Sequence, residues 1–203
     1  SFVSKYQADL NSQYVLPENV ASWASRINLN HGKWHFGAEY VNKYNDPSSA
    51  NNYIYKPGNA LLLSSSYSKR GFGISLAAKR IDNMDFRSER DQNLQNAIIN
   101  YLPALTKQHA YTLATIYPYG TLTTGEMGLQ TELNYKFKKD SPIGGKYGMG
   151  LIANFSNVYA IDKQTLDEFT PIGTTGTLGY TSDFFKVGEE KYFQEFSLEL
   201  SKK

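Results

Sequence analysis

Several absences limit what this sequence can be. It contains no cysteine, which excludes a disulfide framework and any zinc or redox site built on cysteine. No apolar run approaches the roughly 18 residues that a membrane-spanning helix needs, which argues against a helical membrane protein. The formal net charge of +2 over 203 residues is too small to indicate a nucleic acid or an anionic membrane surface as partner. The chain begins at Ser1 without a signal region, as expected of a mature chain or a fragment.

Aromatic and glycine residues are abundant instead, with 16 tyrosines, 11 phenylalanines and 16 glycines. They occur in segments that alternate between apolar and polar residues, as in the stretch from Gly125 to Ser156. There, Leu129 and Leu133 alternate with Gln130 and Glu132. A period of two places the two sets on opposite faces of a strand and does not fit a helix. The pattern predicts a single all-β architecture over residues 1–203.

Similar segments recur along the chain and predict about nine antiparallel strands. The predicted strands cover residues 21–30, 34–44, 59–68, 72–79, 98–106, 110–119, 127–137, 147–156 and 191–203. Short turns are expected at residues 31–33, 69–71, 106–109 and 138–146, and longer connections at residues 45–58, 82–97, 118–125 and 160–190, the last a long surface loop. Short turns at one end of a sheet and longer loops at the other are typical of outer-membrane barrels.

The apolar face of these strands ends in aromatic residues beside the short turns. We interpret the aromatic residues as a girdle at a membrane boundary. The girdle is predicted to consist of Trp34, Tyr67, Phe72, Tyr111, Phe137 and Tyr147. The expected fold is therefore an antiparallel up-and-down transmembrane β-barrel. Because bacterial barrels have an even number of strands, nine strands indicate part of a larger barrel.

The opposite face combines small residues with scattered charges, which suits a barrel lumen better than an open surface. Residues predicted to line the lumen are Arg26, Glu39, Lys79, Glu132, Asn134, Lys136, Glu195 and Glu199. Such charges can set the selectivity of a channel, or they can form a salt-bridged plug. The sequence leaves both open.

Four short motifs carry a resemblance to a known family: NYLPAL, YPYGT, GEMG and GGKYG. Over residues 83–148, the chain resembles an outer-membrane β-barrel family of unknown function from Bacteroidota, which are Gram-negative bacteria. The resemblance implies a barrel fold and a place in the bacterial outer membrane. It implies no catalytic residue.

Catalytic and metal-binding patterns are not apparent. The three histidines, His31, His35 and His109, are not accompanied by a zinc motif or a catalytic triad. We therefore expect no catalytic, cofactor-binding or metal site, and no cofactor.

The sequence thus predicts a non-enzymatic outer-membrane β-barrel protein, porin-like, serving as a channel or anchoring a surface assembly. Its expected partners are outer-membrane lipid and other outer-membrane or periplasmic proteins, but no nucleic acid. The alternative is a soluble β-sandwich or jelly-roll module whose aromatic residues bind carbohydrate. An outer-membrane enzyme with a site on its loops is the least supported.

Overall fold

The chain forms one antiparallel β-sheet. A computed structural model describes residues 1–92, 96–107 and 119–202. Its strands are β1 (Phe2–Tyr6), β2 (Asn19–His31), β3 (Trp34–Lys43), β4 (Gly58–Lys69), β5 (Phe72–Asp82), β6 (Gly125–Phe137), β7 (Met149–Gln164) and β8 (Thr181–Lys202). The only helical element in the described ranges is one 3-10 turn, Ser49–Asn51, and none of their helices is long and apolar enough to cross a membrane.

Each strand pairs with the next one along the chain, in the order β1 to β8. The predicted all-β, antiparallel, up-and-down arrangement is thereby confirmed. The sheet is not closed into a barrel, because β1 and β8 are its two edges and do not pair with each other. Closure is therefore not seen in the residues that the structure describes.

The strands differ from the prediction in two places. Strand β1 was not expected, and the predicted strand at residues 98–106 is wrong: apart from an isolated bridge between Arg87 and Ile98, that segment is irregular. Pro103 has no N–H to donate to a ladder, and its carbonyl accepts a hydrogen bond from the Lys79 side chain. The predicted strand at 110–119 lies almost entirely outside the described residues.

Tight turns join the strands at one end of the sheet. Gly32 and Gly71 close two hairpins with φ of 59° and 79°, values that residues other than glycine rarely adopt. The connections at the other end cover residues 7–18, 44–57, 83–124 and 165–180. The predicted short turns at residues 31–33 and 69–71 are confirmed, whereas the turn expected at residues 106–109 falls within the single connection between β5 and β6. We call the two ends the turn end and the loop end.

The connection between β7 and β8 is shorter than the loop expected at residues 160–190. Strand β7 continues to Gln164, and β8 begins at Thr181. Ile161 pairs with Val187, and the strand pairing between β7 and β8 therefore continues into the segment that was expected to be a loop. Three register shifts interrupt the pairing there, which explains why the sequence pattern is weak.

Buried hydrophobic side chains in the described residues number eleven, and two small clusters form among them near the loop end. One contains Ile54, Ile161 and Tyr180, and the other contains Ala60, Ile81 and Met84. A water-soluble domain of this length normally buries one contiguous core. Most apolar side chains of the sheet therefore lie outside a buried core.

Candidate functional site

One face of the sheet, which we call the apolar face, carries large hydrophobic side chains that remain exposed. Cross-strand pairing puts Ala38, Leu63, Ala78 and Leu129 in one row across β3 to β6. Exposed members of this face include Ile27, Leu29, Trp34, Phe36, Leu63, Leu76, Leu129, Tyr135, Phe196, Leu198 and Leu200. Ile27 is 61% exposed and Phe196 is 70% exposed, although both lie within strands. An apolar patch of this extent marks an interaction surface.

No second sheet covers the apolar face among the described residues. All eight strands belong to a single sheet, so the described ranges do not form the β-sandwich considered as an alternative. The face bears a groove of about 390 Å³ that is lined by Ile27, Phe36, Leu76 and other residues of β2 to β6. Nearer the loop end, Phe184 of β8 lies over the face, and the Arg80 guanidinium is 4.5 Å from its ring centre.

An aromatic row runs along the turn end of the apolar face. Ring centres are 4.9 Å apart for Trp34 and Tyr67, 6.1 Å for Tyr67 and Phe72, and 6.5 Å for Phe72 and Tyr135. Phe137 extends the row, at 4.8 Å from Tyr135. Two of these contacts are tilted and two are edge-to-face, and their distances lie in the favourable range for aromatic pairs. Through these contacts, aromatic side chains of neighbouring strands pack against one another.

Five of the six predicted girdle residues lie in the described chain, and all five are at the turn end. Trp34, Tyr67, Phe72 and Phe137 belong to the row, whereas Tyr147 lies in the connection from β6 to β7. Tyr111 lies outside the described residues. The sequence prediction did not include Tyr135, although it shares the alternating pattern of Leu133 and Phe137. Counting in steps of two along β6 would have found it.

All eight residues predicted to line a lumen lie on the other face, which we call the polar face. Arg26 pairs with Glu39, and their side chains form an ion pair of 2.6 Å. At the turn end this face is open, as the exposed Arg26, Asn134 and Lys136 illustrate. Towards the loop end it is covered, and Lys79 is buried.

The connection from β5 to β6 covers the polar face around a buried ion pair. Lys79 Nζ lies 2.7 Å from Glu126 Oε1 and donates hydrogen bonds to the Pro103 carbonyl and to Thr121 Oγ1. The other Glu126 oxygen accepts hydrogen bonds from the Tyr119 hydroxyl and the Leu122 N–H. Burial and the Glu126 carboxylate raise the pKa of Tyr119, so its hydroxyl stays protonated as the donor.

The same connection reaches both sides of the sheet. Near β1 and β3, Lys43 donates a 2.6 Å hydrogen bond to the Asp85 carbonyl. Near β8, Lys107 pairs with Glu199 at 2.8 Å. In between, a side chain on Gly128 would come within 3.3 Å of Leu105, so glycine permits this close approach.

Buried charges at the loop end are also paired. Asp46 lies 2.5 Å from Lys5 Nζ and 3.1 Å from Arg90 Nε, and the Arg90 guanidinium also bonds the Pro17 carbonyl. Asp85 pairs with Arg87 at 2.7 Å. Because a buried unpaired charge is costly, this network fixes the loops over the end of the sheet.

Asp82 is the centre of a second network on the apolar side of the loop end. Its carboxylate accepts hydrogen bonds of 2.6 Å from Tyr180 and Ser182 and lies 3.3 Å from Arg80. Burial and Asp82 raise the pKa of Tyr180, which keeps it protonated. Sequence reasoning did not single out Asp46, Asp82 or Glu126 as organising residues, because each one pairs with residues distant in sequence.

Metal-ligating side chains do not converge in the ranges that the structure describes: no group of three or more His, Asp or Glu residues could hold an ion there. His35 lies on the polar face and contacts Asn30 Oδ1 at 2.6 Å, and His31 is exposed at the turn end. His109 lies outside the described residues.

The two faces define the class of this protein: an up-and-down antiparallel sheet with an open apolar face and a polar face partly covered by its own β5–β6 connection. The whole chain, residues 1–203, matches the family described as "Family of unknown function (DUF6029)", and the protein belongs to that family. The match confirms the expectation that the chain belongs to a family of unknown function. No curated protein and no solved structure matches the chain.

Proposed function

We propose that this sheet is part of the wall of a β-barrel in the outer membrane of a Gram-negative bacterium, with its apolar face in contact with lipid acyl chains. The observation that carries the proposal is the open apolar face. Apolar area that stays in water contributes nothing to stability, whereas contact with acyl chains removes it from water and contributes about 25 cal/mol per Å². The resemblance to a Bacteroidota family supports the same location.

Strand length supports the membrane assignment. Strands β2 to β6 contain 13, 10, 12, 11 and 13 residues. A tilted membrane-spanning strand needs about 9–11 residues. The aromatic row lies where a strand would leave the hydrocarbon, as tyrosine and tryptophan do at membrane interfaces.

In the part of the chain that the structure describes, the outer edges of β1 and β8 have no strand partner, which favours pairing with further strands. Each unpaired backbone group in hydrocarbon costs several kcal/mol, so an open sheet does not persist there. We propose that both edges pair with other strands to complete a barrel. The polar face then borders its interior.

The covered polar face favours an anchoring role over an open pore. Lys79, Glu126 and Lys43 are buried beneath the β5–β6 connection rather than lining a water-filled channel. The protein would thus hold a surface assembly in the outer membrane, together with other outer-membrane or periplasmic proteins. It would do so without catalysing a reaction.

Extraction of the full-length protein tests the membrane assignment. We expect it to remain with membranes after a high-salt or alkaline wash and to require detergent for release. Closed barrels resist denaturation by detergent, so unheated and heated samples should migrate differently on a gel. Release into the aqueous fraction as a folded monomer would instead support a soluble binding module, and a carbohydrate-binding assay would be the next measurement.

Passage of solute is the second candidate function, because the turn-end half of the polar face is open and carries charge. Planar-bilayer recording of the full-length protein distinguishes the two. We expect no steady current, since the β5–β6 connection occupies the polar face. A steady, ion-selective current would favour a channel and contradict the anchoring role.

A further inference from the structure

The turn end of the sheet concentrates positive charge that the small net charge of the chain conceals. Seven cationic residues lie in the turns or at the adjoining strand ends, and each is exposed. We call them the basic rim: Lys33, Lys69, Arg70, Lys138, Lys139, Lys146 and Lys202. Of the 19 acidic residues in the chain, only Asp140 lies in these turns.

Carboxylates of the described residues form no ion pair with the basic rim. The ion pairs of the described chain lie elsewhere, for example between Lys79 and Glu126 or between Lys186 and Asp162. Exposed like charges at close range repel one another, so the rim favours a polyanionic partner.

The basic rim is adjacent to the aromatic row. Lys69 Nζ is 5.4 Å from the centre of the Phe72 ring, and Lys146 Nζ is 5.5 Å from that of Tyr147. Along the sheet, the order is therefore apolar face, aromatic row and cations. A phospholipid leaflet has the matching order of acyl chains, interface and phosphate.

We propose that the basic rim binds the phosphate groups of anionic phospholipids in the leaflet at the turn end. This inference rests on the proposed function, because it requires the apolar face to be in the bilayer. Anionic lipid attracts each nearby lysine or arginine by about 1 kcal/mol, which is about fivefold in binding per charge. A neutral leaflet offers no such gain.

The two tryptophans of the chain provide the measurement. Trp34 is in the aromatic row next to the rim, and Trp23 is nearer the loop end. In the full-length protein, Trp23 and any tryptophan outside residues 1–203 are replaced by phenylalanine, so that Trp34 is the reporter after reconstitution in mixed vesicles. Its fluorescence is quenched in turn by brominated phosphatidylglycerol and by brominated phosphatidylcholine. We expect stronger quenching by the anionic lipid, and loss of the difference at about 0.5 M salt, where screening is strong.

Rim charges are then removed in the same background. Lys33→Gln with Arg70→Gln removes two charges and should lower the relative binding constant for phosphatidylglycerol by about 25-fold. The matched control is Lys186→Gln with Lys191→Gln, which removes two exposed cations away from the turn end and should leave the preference unchanged.

The outcomes separate the two proposals. Equal quenching by both lipids would overturn the lipid preference while leaving the membrane assignment intact. Quenching by neither lipid would overturn the membrane assignment itself. If sodium polyphosphate at an equal phosphate concentration abolished the preference, the rim would be a site for a soluble polyanion, and the inference would fail.

Discussion

Replacing Glu126 with glutamine is expected to lower the free energy of unfolding by about 3–5 kcal/mol, the usual cost of removing one partner of a buried ion pair. Glutamine keeps the shape of the side chain and can still accept hydrogen bonds from Tyr119 and Leu122. It cannot neutralise Lys79, which is then an uncompensated cation beneath the β5–β6 connection. Urea titration of the protein in vesicles, followed by tryptophan fluorescence, measures the change.

The matched control for Glu126→Gln is Glu132→Gln on the same strand and face. Glu132 is only half-buried and accepts one hydrogen bond, from Asn134. Its loss should cost about 1 kcal/mol. A double variant, Lys79→Met with Glu126→Gln, removes both charges and should recover part of the stability. Equal effects of Glu126→Gln and Glu132→Gln would show that the β5–β6 connection does not depend on the buried pair.

Leu76→Arg is expected to destabilise the protein in a bilayer by about 2–4 kcal/mol, as arginine does on the lipid-facing side of a barrel near mid-depth. Leu76 lies in the middle of β5 and is 44% exposed, so the leucine contributes little packing within the protein. The large cost thus arises only if acyl chains surround the side chain. The same vesicle titration measures it.

Ser75→Arg is the control for Leu76→Arg, because Ser75 is the preceding residue and lies on the polar face. Ser75 is exposed and pairs across the sheet with Glu132, which would attract the new arginine. We expect a change of less than about 1 kcal/mol for an exposed pair of this kind. If Leu76→Arg were as well tolerated as Ser75→Arg, the apolar face would be in water and the membrane assignment would be wrong.

Most of the sheet could be predicted from sequence, because a period of two reports directly which face a residue occupies. Leu63, Ala78 and Leu129 share a face in the pattern, and the register places them side by side. The period of two also placed all eight residues predicted to line the lumen on one face. Cross-strand pairing preserves this parity, so errors in strand bounds did not affect it.

The cover on the polar face could not be predicted in this way. The contacts of Lys79 with Pro103, Thr121 and Glu126 join residues that are distant in sequence and follow no period. The segment around Pro103 was wrongly predicted as a strand because its apolar residues pack against the sheet without pairing. Leu105, buried against Gly128, is an example.

The position of the β5–β6 connection also constrains the order of assembly. Its described residues contact Lys43 at one side of the sheet and Glu199 at the other. The connection can make both contacts only after β3 and β8 have taken their places in the sheet. Its docking is therefore expected to follow the pairing of the strands. Such long-range contacts are slow to form, and this step is expected to limit the rate at which the protein matures.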